Sequence, residues 1–404
     1  MSRCSGLPLQ TSGPSRVPGF GSAHHQQTSV NSPHDILHVG RPNLGDRSAF
    51  LARVEAMLDR RWFSNDGPLV REFEAAVCAH LGVRHAVALC NATVGIEIAS
   101  KALGLEGEVI VPSYTFVATA HALQWQGIKP VFCDIDPSTH NMDPDKIEGL
   151  VTPQTSGIVA VHVWGRPCDT AGIEKVARKH GLKVMYDASH AFGCSSKGRM
   201  IGGFGACEVF SFHATKFINC FEGGVVTTND DELAGKMRLM RNFGFSGFDN
   251  VVYLGVNGKM SEVCAAMGLT NLEAMDGIVA ANRRNYLAYC RELRAMDGIS
   301  VVRYEEAERN NFQYVVVEVD PDACGRSRDE IVEALHSENV IARKYFWPGC
   351  HRMEPYCRTQ PDAWRRLGQT ERIAARVIVL PTGQTVVEET VRQVCRTIHK
   401  AVAR

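Results

Sequence analysis

Between residues 35 and 275, seven short apolar runs alternate with stretches of helical character, and no other feature limits the fold as strongly. The runs are Ala86–Leu89, Val109–Val111, Val131–Cys133, Ile158–Val163, Val184–Tyr186, Val209–Phe212 and Val225–Thr228. Most are continuously apolar instead of alternating, the pattern of strands covered on both faces. Helices are expected between several of them, at Thr93–Leu103, Thr115–Gln126 and Thr170–His180. Strand–helix–strand order of this kind predicts an α/β large domain over 35–275, with a mostly parallel seven-stranded sheet flanked by helices.

The pattern changes after residue 275. A helix at Ala280–Ala295 precedes strand-like Ser300–Arg303 and Tyr314–Val319. Then come a helix at Ser327–Glu338, an aromatic stretch at Tyr345–Tyr356 and a terminal helix at Glu388–Val402. This predicts a smaller C-terminal α+β domain over 276–404. Residues 1–34, rich in Ser, Pro, Gly, His and Gln, show no periodicity that buries a face and read as a flexible leader.

Composition narrows the function classes. Lys+Arg and Asp+Glu balance at 44 each, which argues against a surface built to track nucleic acid or an anionic membrane. No apolar stretch is long enough to span a bilayer. The fourteen cysteines form no C-x-x-C pair and no zinc-ligand spacing. Without a signal peptide in view they read as reduced, mostly structural thiols of a cytoplasmic protein, and no metal is expected.

In open α/β sheets ligands gather at the carboxyl ends of the strands, so the polar residues following each run matter most. Cys90-Asn91-Ala92-Thr93 leads straight into a helix, either as an ordinary cap or as an anion site of free N–H groups. Asp187 ends its strand, where an acid is costly to bury unless donors or a cation meet it; capping the next turn is the plainer role. Lys216 lies among apolar neighbours. Most lysines are solvated, but a desolvated one loses its proton and forms Schiff bases with carbonyls. A lysine, a buried acid and a helix-start phosphate site at neighbouring strand ends together suit pyridoxal phosphate.

At these residues the chain resembles the sugar aminotransferases of the DegT/DnrJ/StrS family, within the fold type I pyridoxal-phosphate enzymes. The resemblance runs from Trp62-Phe63-Ser64-Asn65 to beyond residue 275. It includes Pro112-Ser113-Tyr114-Thr115-Phe116-Val117-Ala118-Thr119-Ala120, Val161-His162 with Gly165, and Asp187-Ala188-Ser189-His190-Ala191-Phe192-Gly193. Phe210-Ser211-Phe212-His213-Ala214-Thr215-Lys216 and Glu222-Gly223-Gly224 complete it.

The resemblance implies a Schiff base on Lys216, the pyridinium partner at Asp187, Phe116 stacked on the cofactor ring and His190 beside its phenolic oxygen. Ala92, Thr93 and Ser211 are implied to hold the phosphate, and Asn257 to reach the partner's phosphate across a homodimer. It further implies glutamate as donor, a pyridoxamine phosphate intermediate and a nucleotide-linked keto-sugar as acceptor, with C4 of dTDP-4-keto-6-deoxyglucose expected. Amination at C3 is the alternative within the family.

Gly255-Val256-Asn257-Gly258-Lys259-Met260 departs from the family's usual Gly-Tyr-Asn-Tyr-Arg-Met, and Lys259 lacks the planar fork of Arg. The aromatic stretch, with His351 and Arg352, reads either as a nucleotide contact or as an anchor packed between domains. Two other classes meet counter-indications. A nicotinamide-dependent enzyme lacks its G-x-G-x-x-G after the first strand, and a non-catalytic cofactor-binding regulator is expected to lose Lys216 or carry a DNA-binding domain.

Overall fold

Residues 36–403 are described in this computed structural model; the expected leader over 1–34 lies outside the described residues. The seven runs form one sheet from strands β1 (His85–Leu89), β2 (Glu108–Pro112), β3 (Lys129–Cys133), β4 (Thr155–Val161), β5 (Lys183–Asp187), β6 (Cys207–Ser211) and β7 (Gly224–Thr228), ordered β1-β7-β6-β5-β4-β2-β3. Only β7 is antiparallel to its neighbours.

The continuity of the runs follows from burial on both faces. Val87, Val109, Val111, Val159, Met185 and Val209 pack on one side of the sheet against Ile96, Ala99 and Leu123. On the other side Ala86, Ala88 and Phe210 meet Phe73, Val77 and Leu269, while Ile110, Ile158 and Tyr186 meet Ile173 and Ala177. A one-residue slip in register would exchange these sets of side chains between two differently shaped layers.

The helices Ala92–Leu103 and Thr170–His180 are capped by Asn91 and Asp169 and stopped by left-handed Gly104 and Gly181. The segment expected as a helix from Thr115 begins only at Ala118 and ends at Gln124. The fourth strand stops at Val161, short of the expected Val163: His162 turns away, its N–H donating to the Asp187 carbonyl, and Trp164 adopts φ 64°.

Beyond the sheet, the helix expected at Ala280–Ala295 occupies Met275–Glu292, carried N-terminally by Ile278, which packs into the large core. A three-stranded antiparallel sheet follows, from β8 (Ile299–Val301), β9 (Val315–Val319) and β10 (Val377–Leu380). Helices Arg328–Ser337 and Glu388–Val402 cover it through Ile331, Leu335, Val391, Val394 and Ile398. Among the described residues no single helix is long and apolar enough to cross a membrane.

Candidate active site

The carboxyl ends of β1, β5 and β6 and the amino end of β7 meet at one edge of the large sheet, where Gly224 pairs with both Leu89 and Ser211. Gly224 must be glycine there. A Cβ would stand 2.4 Å from the Asn91 carbonyl carbon and 2.6 Å from the Ala92 nitrogen. Its absence lets β7 run against the start of the helix and brings Ser211 beside Ala92. The Asn91 side chain caps that helix at the Val94 N–H, 2.9 Å away, and the N–H groups of Ala92 and Thr93 have no acceptor among the described residues. Cap and anion site are therefore compatible, because they use different donors.

Asp187 is buried at the end of β5. Thr119 Oγ1 donates to one carboxylate oxygen at 2.7 Å and the Ser189 N–H to the other at 3.0 Å. Thr119 is itself 2.9 Å from Thr115 Oγ1. These donors offset part of the cost of burying an anion.

Lys216 follows β6, and burial pulls its ammonium down to about 8, against the opposing pull of Asp187 and Tyr345. Its Nζ lies 3.4 Å from the Tyr314 hydroxyl. Burial drives the Tyr314 phenol well above its ordinary value, so it stays a neutral hydroxyl and adds no charge that would hold the lysine protonated.

His190 is buried and kept well below its ordinary value, first by burial and then by Lys216. The Trp164 N–H donates to His190 Nδ1 at 3.2 Å, which leaves Nε2 to carry the proton of a neutral ring. Phe346 stacks on Trp164 and on His190, with centroids 5.3 and 5.8 Å apart, forming an aromatic back wall. Two side chains ahead of β9 pin these loops: Asn311 Nδ2 donates to the carbonyls of His190 and Phe192, and Gln313 Oε1 accepts the Phe217 N–H.

A cavity of about 580 Å³ is lined by Ala92, Thr93, Phe116, Asp187, His190, Ser211 and Lys216 together. Of the residues that the resemblance assigns to the cofactor, Asn257 alone is not part of this lining. Asn257 sits on an exposed segment whose Lys259 Nζ donates to Asn257 Oδ1 at 2.7 Å, so the outward-available group of the amide is its Nδ2 donor. The donor set suits a phosphorylated aldehyde with a basic ring nitrogen: free N–H groups for the phosphate, a buried carboxylate for the nitrogen and a lysine of lowered basicity for the aldehyde.

The sequence reading missed Tyr314. It precedes a strand of the smaller sheet, away from the strand ends where ligands were sought. Tyr345 and Phe346 lay within the aromatic stretch and do line the cavity. His351 and Arg352 take the anchoring role. His351 is buried between Ser113 Oγ at 2.7 Å and Glu371 at 2.8 Å, and Arg352 forks onto the same Glu371.

The DegT/DnrJ/EryC1/StrS aminotransferase family matches residues 45–399. A dTDP-4-amino-4,6-dideoxy-D-glucose transaminase of Shigella dysenteriae is 38% identical over 364 residues, covering 90% of this chain and 98% of its own. Its Escherichia coli counterpart is 34% identical, covering 89% and 97%. The crystal structure of DesI with its TDP-sugar product is 50% identical, with TM-score 0.88 over 91% of this chain and 93% of that one.

Proposed function

The chain belongs to the DegT/DnrJ/EryC1/StrS aminotransferase family, and from that premise we propose that it moves an amino group from L-glutamate to C4 of dTDP-4-keto-6-deoxyglucose in deoxyaminosugar biosynthesis. It works as a cytoplasmic homodimer with pyridoxal phosphate as cofactor. The observation that carries this reading is the convergence of Lys216, Asp187 and the free helix start on one cavity. The names of the relatives support the acceptor and the carbon.

When bound, the cofactor supplies an aldehyde that carries the amino group and a ring that accepts electrons. The N–H groups of Ala92 and Thr93, with the Ser211 hydroxyl, hold the phosphate in the field of the helix start. Asp187 holds a proton on the ring nitrogen, and Thr119 and Ser189 fix its carboxylate for that task. Phe116 covers the ring and His190 stands beside it as a neutral group.

Lys216 anchors the aldehyde. With the cofactor bound, Lys216 would be placed to take the proton from the donor's α-carbon and to return one to the acceptor's C4 in the second half-reaction. With basicity lowered to about 8, a useful share of it is a free amine near neutral pH. Tyr314 steadies Nζ between those transfers. Asn257 donates its Nδ2 to the phosphate in the partner's site.

A panel of keto-sugar nucleotides with glutamate, analysed by mass and NMR, tests the reading. The expected product carries its new amine at C4. An amine at C3, or no transfer to any member of the panel, rejects it.

A further inference from the structure

Val161-His162 with Gly165 has no part in the roles assigned so far. The His162 ring is fully buried, and its Nε2 lies 3.0 Å from Glu208 in β6, which is as deeply buried. We propose that His162 is a positioning residue for His190: held by Glu208, it closes the turn 162–168, which fixes the proton of His190 on Nε2, the nitrogen left for the cofactor. The proposal rests on the reading of the large cavity as a pyridoxal-phosphate site and adds the residue that sets the histidine beside the ring.

The tautomer of His162 is forced from both sides. A carboxylate only accepts, so Nε2 donates to Glu208 Oε1, and the Cys168 N–H donates to Nδ1 at 2.9 Å. The second Glu208 oxygen accepts the N–H groups of Gly202 and Phe204. Burial pushes the basicity of the ring down while Cys168 and Glu208 pull it up. A second proton would sit on Nδ1 against the Cys168 N–H, so the ring is neutral as long as that contact stands.

Every N–H group of the turn is then accounted for. His162 N–H donates to the Asp187 carbonyl, Val163 N–H to Asn141 Oδ1, and Gly165 and Arg166 N–H to the carbonyls of His162 and Val163. Cys168 N–H goes to the His162 ring, and Trp164 N–H to His190 Nδ1. Trp164 gives that bond from φ 64°, a conformation that a bulky residue keeps only under restraint. Gly165 follows at φ +82°, where a Cβ would stand 2.8 Å from the His190 carbonyl oxygen. The histidine latches the turn and the glycine lets it lie against His190.

His140 repeats the pattern. Its Nδ1 accepts the Trp164 indole N–H at 3.1 Å, and its Nε2 lies 2.6 Å from Glu318. In His140 and His162 the far nitrogen ends on a glutamate. In His190, which lines the cavity, it meets no partner among the described residues. Of the three buried rings, the one at the site keeps its Nε2–H for a ligand.

Nitrogen-15 NMR of histidine-labelled, cofactor-free protein reads the tautomer, with His190 identified by its loss in His190→Asn. In the unsubstituted protein His190 is expected to carry its proton on Nε2; a proton on Nδ1 overturns the proposal with no variant at 162. His162→Gln keeps a donor for Glu208 but loses the acceptor for the Cys168 N–H. The two His190 nitrogen resonances should then move toward each other as both tautomers are sampled. His162→Asn keeps an acceptor in place of Nδ1 and abandons Glu208. It should melt lower yet retain the Nε2 tautomer. A tautomer that stays fixed in folded His162→Gln, or that is lost equally in both variants, overturns the latch. Gly165→Ala, which lifts the turn off His190 from its other side, replaces the glutamine variant should that fail to fold, with the same expected and overturning results.

The function reading fails separately, because the tautomer is read without cofactor. If His190 follows His162 as expected but the protein takes up no pyridoxal phosphate, or shows no spectral change with glutamate, the latch stands and the transaminase reading falls. If glutamate reacts and the tautomer ignores His162, the enzyme stands and the latch falls.

Discussion

The wall that carries Asp187, His190 and Lys216 and the segment from Phe243 to Asn257 are built on opposite plans. In the wall each of those polar groups finds its partner within the chain: Thr119 and Ser189 for the acid, Trp164 for the imidazole and Tyr314 for the amine. The segment is equally well tied in its backbone. Phe243 N–H donates to the Val256 carbonyl and Val252 N–H to the Gly244 carbonyl, and Gly244, at φ +79°, packs too closely on Tyr253 to accept any Cβ.

Yet the segment's side chains are bare, with Phe248 98% and Leu254 76% exposed. A tightly held loop with an uncovered apolar face is finished as architecture and incomplete as a surface. One region is complete in a single chain, while the other leaves an apolar face uncovered, which the proposed homodimer would cover.

The largest test of this contrast falls on the wall. Lys216→Ala is expected to abolish amino transfer and to leave a folded protein. Borohydride reduction of the unsubstituted protein followed by peptide mapping should place the retained cofactor on Lys216; retention on any other lysine rejects the assignment. Asp187→Asn keeps the shape and the Ser189 contact but removes the charge. It should lower turnover at least about a hundredfold, in keeping with the loss of a preorganised charge, and reduce cofactor binding far less. Near-normal turnover in that variant would remove Asp187 from the reaction.

The same contrast explains what was legible in the sequence. The sheet was readable because strands buried on both faces must be apolar throughout. Lys216, Asp187 and Ala92 were readable because a parallel sheet delivers its strand ends to one edge in a predictable way. Tyr314 was not, since its place depends on how the smaller sheet packs against His190 and Trp164, with ring centres 4.7 and 5.3 Å from its own. No local pattern encodes that approach. The stretch with His351 and Arg352 stayed open between a nucleotide contact and an anchor for the same reason: Glu371, which engages both, lies 19 or 20 residues further along the chain. The helix from Met275 was placed late because its first turns carry Gly277 and Asp276, poor helix formers held by the burial of Ile278.

A smaller effect tests whether the bare segment serves the other chain. Asn257→Asp removes the Nδ2 donor and sets a carboxylate toward a phosphate, so it should be weakly active by itself. Mixing it with Lys216→Ala generates heterodimers in which one site carries both defects and the other neither, provided that Asn257 acts across the interface. Activity should then rise toward half that of the unsubstituted dimer. Two affinity tags verify subunit exchange, and no rescue in a confirmed heterodimer would return Asn257 to its own chain.

The smallest effect concerns what the wall costs before any cofactor binds. Burial lowers Lys216 from 10.5 to about 8 in the folded protein, so between those values the unfolded chain binds more protons. Stability conferred at this position therefore rises with pH through that window. Below it both states are protonated and the folded protein carries the full penalty, on the order of 3 kcal/mol for a shift of this size. Above it both states are neutral and the penalty is gone. Lys216→Met retains an unbranched apolar stem and has nothing to titrate. Cofactor-free Lys216→Met should melt about 4 °C above the cofactor-free unsubstituted protein at pH 7, given the size of the chain. The gap should close as pH approaches 10.5, and taking the difference between the two proteins cancels the titrating groups that do not interact with Lys216, leaving Asp187, Tyr345 and His190 as the ones coupled to it. A gap that is absent at pH 7, or that persists unchanged at high pH, would mean that the lysine is solvated in the free protein. Its lowered basicity would then have to come from the bound cofactor instead of the wall.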